Sequence, residues 1–304
     1  MKAIISGATG VIGTSLIERL IEAKAQVLVL CRANSFGLKH IPTSGCVEVV
    51  KCDISKYDSI QATGDKYDVF YHLAWEGTIG SSRNDTELQS RNIQYTLDAV
   101  QLAHRLGCNT FIGAGSQAEY GRVDGVIDEN TSTNPETGYG AAKLCAGQLS
   151  RLRCHQLGMN HIWTRIFSVY GPNDDENTMV MSMIRQLQRG ESPACTMGEQ
   201  IWDYLYSQDA AEALYRLGEK GKDGKTYCLA SGNARPLREY IKTIQHLVNP
   251  ETAVNFGGIP YSEKQVMHLS ADISELKNDI GFQAKVDFAA GIQKILDCQQ
   301  KNEG

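Results

Sequence analysis

No two of the nine cysteines (Cys31, Cys46, Cys52, Cys108, Cys145, Cys154, Cys195, Cys228 and Cys298) stand at a CxxC spacing. Neither a zinc cage nor a thiol redox pair is therefore expected, and no metal. An odd, unpatterned set of thiols fits a reducing compartment, so a cytoplasmic location is expected. Basic excess is also missing: 30 Lys and Arg stand against 35 Asp and Glu, a formal charge of -5. A sequence-independent grip on nucleic acid needs a basic face, and none is legible. Nowhere do eighteen apolar residues run together, which excludes a membrane-spanning helix. Glycines and charges interrupt the apolar start, so no signal peptide is expected. Repeats and low-complexity linkers are absent too. What remains is 304 residues, 42% of them hydrophobic, enough for one large domain or two coupled lobes.

The start of the chain is the most informative part. Lys2 to Ser6 is a short apolar run suited to a buried parallel strand. Gly7, Gly10 and Gly13 follow at spacings of three. Apolar residues Leu16, Ile17, Leu20 and Ile21 then recur at helical spacing, and Gln26 to Leu30 reads as a second strand. In such a βαβ unit one glycine permits the tight turn and another lets backbone N–H groups approach a pyrophosphate. The third lets helix pack on strand, and the helix N-terminus adds partial positive charge. Gly7, Thr9, Gly10, Val11, Ile12 and Gly13 are accordingly expected to hold a dinucleotide.

An acid usually ends the second strand and accepts from the adenosine ribose. Here Cys31 and Arg32 stand there, and the next carboxylate is Glu48. A guanidinium at that place pairs with a 2′-phosphate, so NADP(H) is expected over NAD(H). Val47 to Val50 reads as a third strand, followed by Asp53 and Ile54. Asp53 is either an acceptor for the adenine amino group, with Ile54 on the ring, or the cap of a helix over Tyr57 to Thr63. Tyr67 to Ala74 is a fourth strand, whose end, with Leu73, Ala74 and Trp75, should line the cofactor crevice.

Thr110 to Ser116 reads as a further strand, delivering Ser116 to the carboxyl edge where open α/β sheets bind ligands. After a polar loop, Tyr139 and Lys143 stand four apart on one face of a helix. A phenol with an ordinary pKa of ~10 is a poor base at neutral pH. A neighbouring ammonium is expected to favour the phenolate.

These residues together resemble an extended short-chain dehydrogenase/reductase of the nucleotide-sugar epimerase/dehydratase/ketoreductase type. The resemblance covers nearly the whole chain: Gly7, Gly10 and Gly13; Asp53 and Ile54; His72 to Ala74; Asn92; Ser116 with Tyr120 and Gly121; Tyr139 and Lys143; Arg165 to Pro172; Trp202 to Asp209. It implies a Rossmann-like doubly wound parallel sheet with a smaller C-terminal α/β substrate lobe. Residues 1–169, with about 203–228, would form the first lobe, and 170–202 with 229–304 the second. It further implies Tyr139 as acid/base, Ser116 on the reacting oxygen and Lys143 on the nicotinamide ribose. Asn92 would shape the active-site helix and a relay water. Ile166 would lie near the nicotinamide, and Gln117 and Ser168 near the substrate. Many relatives carry Asn at Ser168 and Arg at Trp202, so Arg235 is the candidate for the diphosphate. Ile93, Leu97 and Val100 make an apolar stripe that is either core alone or partly the helix-bundle interface of a homodimer, as is common in this family.

The residues after Ser116 sort the chemistries. A 4,6-dehydratase of this family places Asp-Glu there, and the epimerase-reductases that make GDP-fucose place a cysteine two after the serine. This chain has Gln117 and Ala118, and Ala118 moves no proton. One hydride and one proton transfer remain. With Arg32 in view, the expected activity is NADPH-dependent reduction of the 4-keto group of a nucleotide-linked (6-deoxy)hexose. The alternative is a nucleotide-sugar C4 epimerase that retains NAD; a third reading is a non-catalytic dinucleotide sensor.

Overall fold

The computed structural model describes residues 1–61, 64 and 66–303. Strands β1 (Lys2–Ser6), β2 (Gln26–Cys31), β3 (Val47–Lys51), β4 (Val69–His72) and β5 (Thr110–Ser116) join the later strands Asn160–Ile166 and Thr226–Leu229 in one sheet. The spatial order is Thr226–Leu229, Asn160–Ile166, β5, β4, β1, β2, β3, and every pairing is parallel. The chain winds outward from β1 to β3 and then returns to β4 on the other side of β1. That reversal opens a crevice at the carboxyl ends of β1 and β4.

Both faces of the sheet are covered, which is why its central strands are continuous apolar runs. Alternate residues go to opposite sides. Ile5, Val27 and Val29 pack with Leu16, Ile17 and Leu20 of α1 (Val11–Glu22) and with Leu214 and Leu217 of the helix Ser207–Lys220. Ile4, Leu28 and Leu30 pack with Ala99, Val100 and Leu102 of α2 (Thr86–Arg105), beside α3 (Gly138–Gln156). A smaller sheet orders Arg235–Pro236, Ile201–Trp202, His268–Ala271 and Val126–Ile127. Near it, Tyr170, Tyr204, Tyr240 and Phe288 form an aromatic knot, with ring centroids 4.6–5.9 Å apart.

One local expectation changes. The turn after Asp53 is a short 3-10 helix over Ile54–Ser59, not a helix over 57–63, and Ala62 and Thr63 lie outside the described residues. The reason is that the Asp53 carboxylate accepts from both Ser55 N (3.0 Å) and Ser55 Oγ (2.7 Å), which closes a tight turn at once. Trp202 pairs with Arg235 and Leu269 in the small sheet, and the helix Ser207–Lys220 packs back on the large sheet. Of the apolar stripe on α2, Val100 is buried, while Ile93 and Leu97 are only partly covered.

Candidate active site

Gly7 and Gly13 stand where a Cβ has no room. Gly7 has φ +73°, and a Cβ there would stand 2.5 Å from Ala74 N and Leu73 C. A Cβ on Gly13 would run into the carbonyl of Gly7 and lie 2.7 Å from Ala8 Cα. Only glycine leaves the β1–α1 turn this close to the end of β4. Helix α1 begins at Val11 with Gly10 as cap and no side chain on its first N–H groups, leaving them for an anion. Gly7, Thr9, Gly10, Arg32, Ile54, Leu73, Ala74 and Trp75 line one crevice of about 640 Å³. Val11, Ile12 and Gly13 form the first turn of α1 behind it. A cradle that any Cβ would fill, at an uncapped helix start, fits a dinucleotide.

Beyond the end of β2, Arg32 is exposed on the crevice, and Ser35 also lines it, its Oγ donating to Thr9 Oγ1 (3.0 Å). Ser35 was not foreseen. Asp53 serves as a cap, so the structural side of its two readings is realised, while Ile54 faces the crevice.

The reacting groups come from two elements. β5 carries Ser116 to the sheet edge, in register with Ile166 on the neighbouring strand. The Ser116 side chain accepts from Ala118 N (3.1 Å) and caps the turn Gln117–Glu119. Gln117 is half-buried at the start of that turn. Helix α3 starts at Gly138, capped by the Thr137 side chain on Gly140 N (3.0 Å), and so presents Tyr139 in its first turn. The buried Tyr139 hydroxyl lies near the Ser116 side chain. Burial raises its pKa; the Ser116 hydroxyl and the Arg83 charge pull it back, and Glu119 adds to the rise.

Two cations stand near Tyr139. Lys143, expected to favour the phenolate, donates its Nζ to the Ala114 carbonyl (2.6 Å) and lies 3.8 Å from the Trp75 ring centroid and 5.7 Å from that of Tyr139. Burial pushes its pKa down to about 7, with Glu119 opposing. The nearer cation is Arg83, 4.2 Å from the centroid, a residue no motif singled out.

The loop from β4 to α2 roofs this site. Asn92 holds it from both sides, accepting from Glu76 N (2.9 Å) and donating to Glu76 O (3.0 Å). Three residues earlier on the same helix, Gln89 accepts from Trp75 Nε1 (2.9 Å) and donates to the Gly77 and Ser82 carbonyls (2.8 and 2.9 Å). Asn92 is thus a clamp on the loop, and Gln89 is its unforeseen partner.

Glu119 also faces away from the reacting groups. It is fully buried, and Oε1 accepts from Ser116 N (2.8 Å) and Trp163 Nε1 (3.0 Å) while Oε2 accepts from Arg165 Nε (2.8 Å). Its acceptor sites are committed to the scaffold. On the substrate side, Trp202 Nε1 donates to Ser168 Oγ (2.7 Å), and Arg235 stands opposite Trp202 in the sheet. The Arg235 guanidinium lies 4.2 Å from the Tyr240 ring centroid, so the aromatic knot orients it.

A family model described as the NAD dependent epimerase/dehydratase family matches residues 3–230. The chain is 25% identical to the dTDP-glucose 4,6-dehydratase of Escherichia coli, over 100% of this chain and 94% of that one. Among solved structures, it superposes on the UDP-glucose 4-epimerase of Thermotoga maritima with UDP-glucose at a TM-score of 0.88 and 20% identity, over 100% of both chains. The UDP-glucuronic acid 4-epimerase of Bacillus cereus with NAD gives 0.86 and 19%, again over 100% of both.

Proposed function

The chain belongs to the NAD dependent epimerase/dehydratase family, and from that premise we propose that it transfers hydride at C4 of a nucleoside-diphosphate hexose, passing through the 4-keto sugar, with C4 epimerisation as the overall reaction. The observation that carries this is the Ser116–Tyr139 pair without a second acid or base beside it. Gln117 and Ala118 replace the acids a dehydratase needs, and Glu119 is locked to Arg165, Trp163 and the Ser116 backbone. That rules against the reaction of the Escherichia coli relative and leaves the one named for the two structural neighbours.

In this reading Gly7, Thr9, Gly10 and the start of α1 would hold the dinucleotide, which when bound would take hydride from C4 and return it. Tyr139 removes the proton of the C4 hydroxyl and returns it to the developing alkoxide. Ser116 holds that oxygen in place, donating where charge appears. Lys143 binds the nicotinamide ribose. Asn92 and Gln89 keep the roof loop over the site, and Arg235 and Ser168 receive the diphosphate.

A second reading, reduction of a 4-keto-6-deoxyhexose with NADPH, is favoured by one observation: Arg32 and Ser35 lie on the crevice beyond the end of β2, and Glu76 is the only carboxylate on it among the described residues. One assay separates the two. The epimerase interconverts C4 epimers of a nucleotide-hexose with no net change in added cofactor. The reductase consumes one NADPH per keto sugar and places deuteride from labelled NADPH at C4. Absence of both reactions, across uridine, thymidine, cytidine and guanosine diphosphate sugars, rejects the C4 assignment. In the same experiment Arg32→Ala should weaken NADPH binding by about ten- to a hundred-fold and leave NADH nearly unchanged, if the reductase reading holds. Equal affinity of the unaltered protein for the two cofactors would leave the epimerase alone.

We also infer a homodimer. Leu149 and Leu152 on α3 are 38% and 55% exposed, and α3 packs beside α2, which leaves Ile93 and Leu97 partly covered. Sedimentation should give about twice the 33.4 kDa chain mass; a monomer at micromolar concentration would refute it.

A further inference from the structure

Arg83 has no part in either reaction scheme above, yet it is the charged group packed on the acid/base tyrosine. It sits in the turn Gly80–Asn84, and its Nη1 donates to the Thr78 carbonyl (2.7 Å). Its guanidinium carbon lies 4.2 Å from the Tyr139 ring centroid. No carboxylate pairs with it among the described residues.

Independent contacts hold it there. Asn84, the next residue, accepts from Gly138 N (3.1 Å), tying the turn to the first residue of the helix that bears Tyr139. Gln89 grips the Ser82 carbonyl on the other side. Gly77 packs so closely on α2 that a Cβ would stand 2.6 Å from Leu88 Cδ2, and its φ of +70° suits glycine. A loop pinned at both ends presents one cation to one ring face.

We propose that Arg83 is a positioning residue of the active centre, a fixed positive charge that favours the Tyr139 phenolate, on a loop built to keep it against the ring. The proposal rests on the reading of Tyr139 as acid/base. Ionisation of a phenol spreads negative charge into the ring, so a cation on the face attracts the phenolate more than the neutral form. The other charged groups near the phenol stand differently. Glu119, from the turn after β5, acts in the opposite direction. Lys143, from α3 itself, has its Nζ on the Ala114 carbonyl and lies 5.7 Å from the Tyr139 ring centroid, so Arg83 is the nearer cation. A guanidinium keeps its charge throughout.

The test places 3,5-difluorotyrosine at position 139 of the full-length protein, so that ionisation falls in a mild pH range and fluorine NMR reads that residue alone. Arg83→Met should move the ionisation midpoint to higher pH by about one unit, and Arg83→Lys should restore most of it. Under turnover, the limb of the kcat/KM profile that reports Tyr139 should move to higher pH in Arg83→Met as well. An unchanged or lower midpoint in Arg83→Met, with thermal unfolding as in the parent protein, would overturn the proposal. Should Arg83→Met fail to fold, Arg83→Gln keeps the reach to Thr78 without the charge and carries the same comparison. The fluorine titration needs no substrate, so it reads the Arg83–Tyr139 coupling even where the C4 assignment fails.

Discussion

Tyr139→Phe should lose about 10²–10⁴-fold in kcat while the Kd for the dinucleotide stays within about twofold. The asymmetry follows from what the substitution removes. The ring is held edge-on to Trp75, with centroids 6.0 Å apart and planes at 82°, and Arg83 covers its face. Phenylalanine keeps those contacts. It deletes only the oxygen that carries the proton and meets Ser116. No neighbouring acid or base can substitute, since Glu119 is committed to the scaffold and Ala118 has no proton to move. Stopped-flow hydride transfer and cofactor titration check the two halves separately. A variant that retained most of its rate would show that Tyr139 is not the acid/base, whatever the overall reaction.

Glu119→Ala is expected to be the most destabilising single change near the site, by about 3–5 kcal/mol. Arg165 is 7% exposed, and Glu119 carries the carboxylate that pairs with it. Truncation leaves a buried guanidinium without its counter-charge and two buried N–H donors, Ser116 N and Trp163 Nε1, without their acceptor. A double-mutant cycle isolates the pair. Glu119→Leu with Arg165→Met should cost less than either single change, because no lone charge stays buried. Urea denaturation midpoints read this directly. Additive losses would mean that the pair is not coupled, and that the cost of Glu119→Ala comes from its cap on Ser116 alone.

How far the sequence could be read depended on how local each feature is. The β1–α1–β2 unit and its three glycines lie within thirty residues, and a turn that tolerates no Cβ leaves glycine at fixed spacings. Tyr139 and Lys143 share a helix face through a spacing of four, and Ser116 ends an apolar strand, so their place at the sheet edge was legible too. Asp53 was readable only as two alternatives, and its bonds to Ser55 decided for the cap. The family could be read from such local motifs, whereas the choice of reaction could not, because epimerase and reductase share every one of them.

The sequence alone thus determined the dinucleotide crevice, the tyrosine and the strand edge that meets it, since each follows from short-range spacing and the period of a helix or strand. Tertiary structure decided the electrostatics. Glu119 finds Trp163 and Arg165 44 and 46 residues further along the chain. Arg235 comes opposite Trp202 only through sheet pairing. Lys143 sets its ammonium on the Ala114 carbonyl and the Trp75 ring, and Arg83 stands closer to the Tyr139 ring than the lysine does. A side chain's charge acts through distance and burial, and both are set by packing between segments remote in sequence.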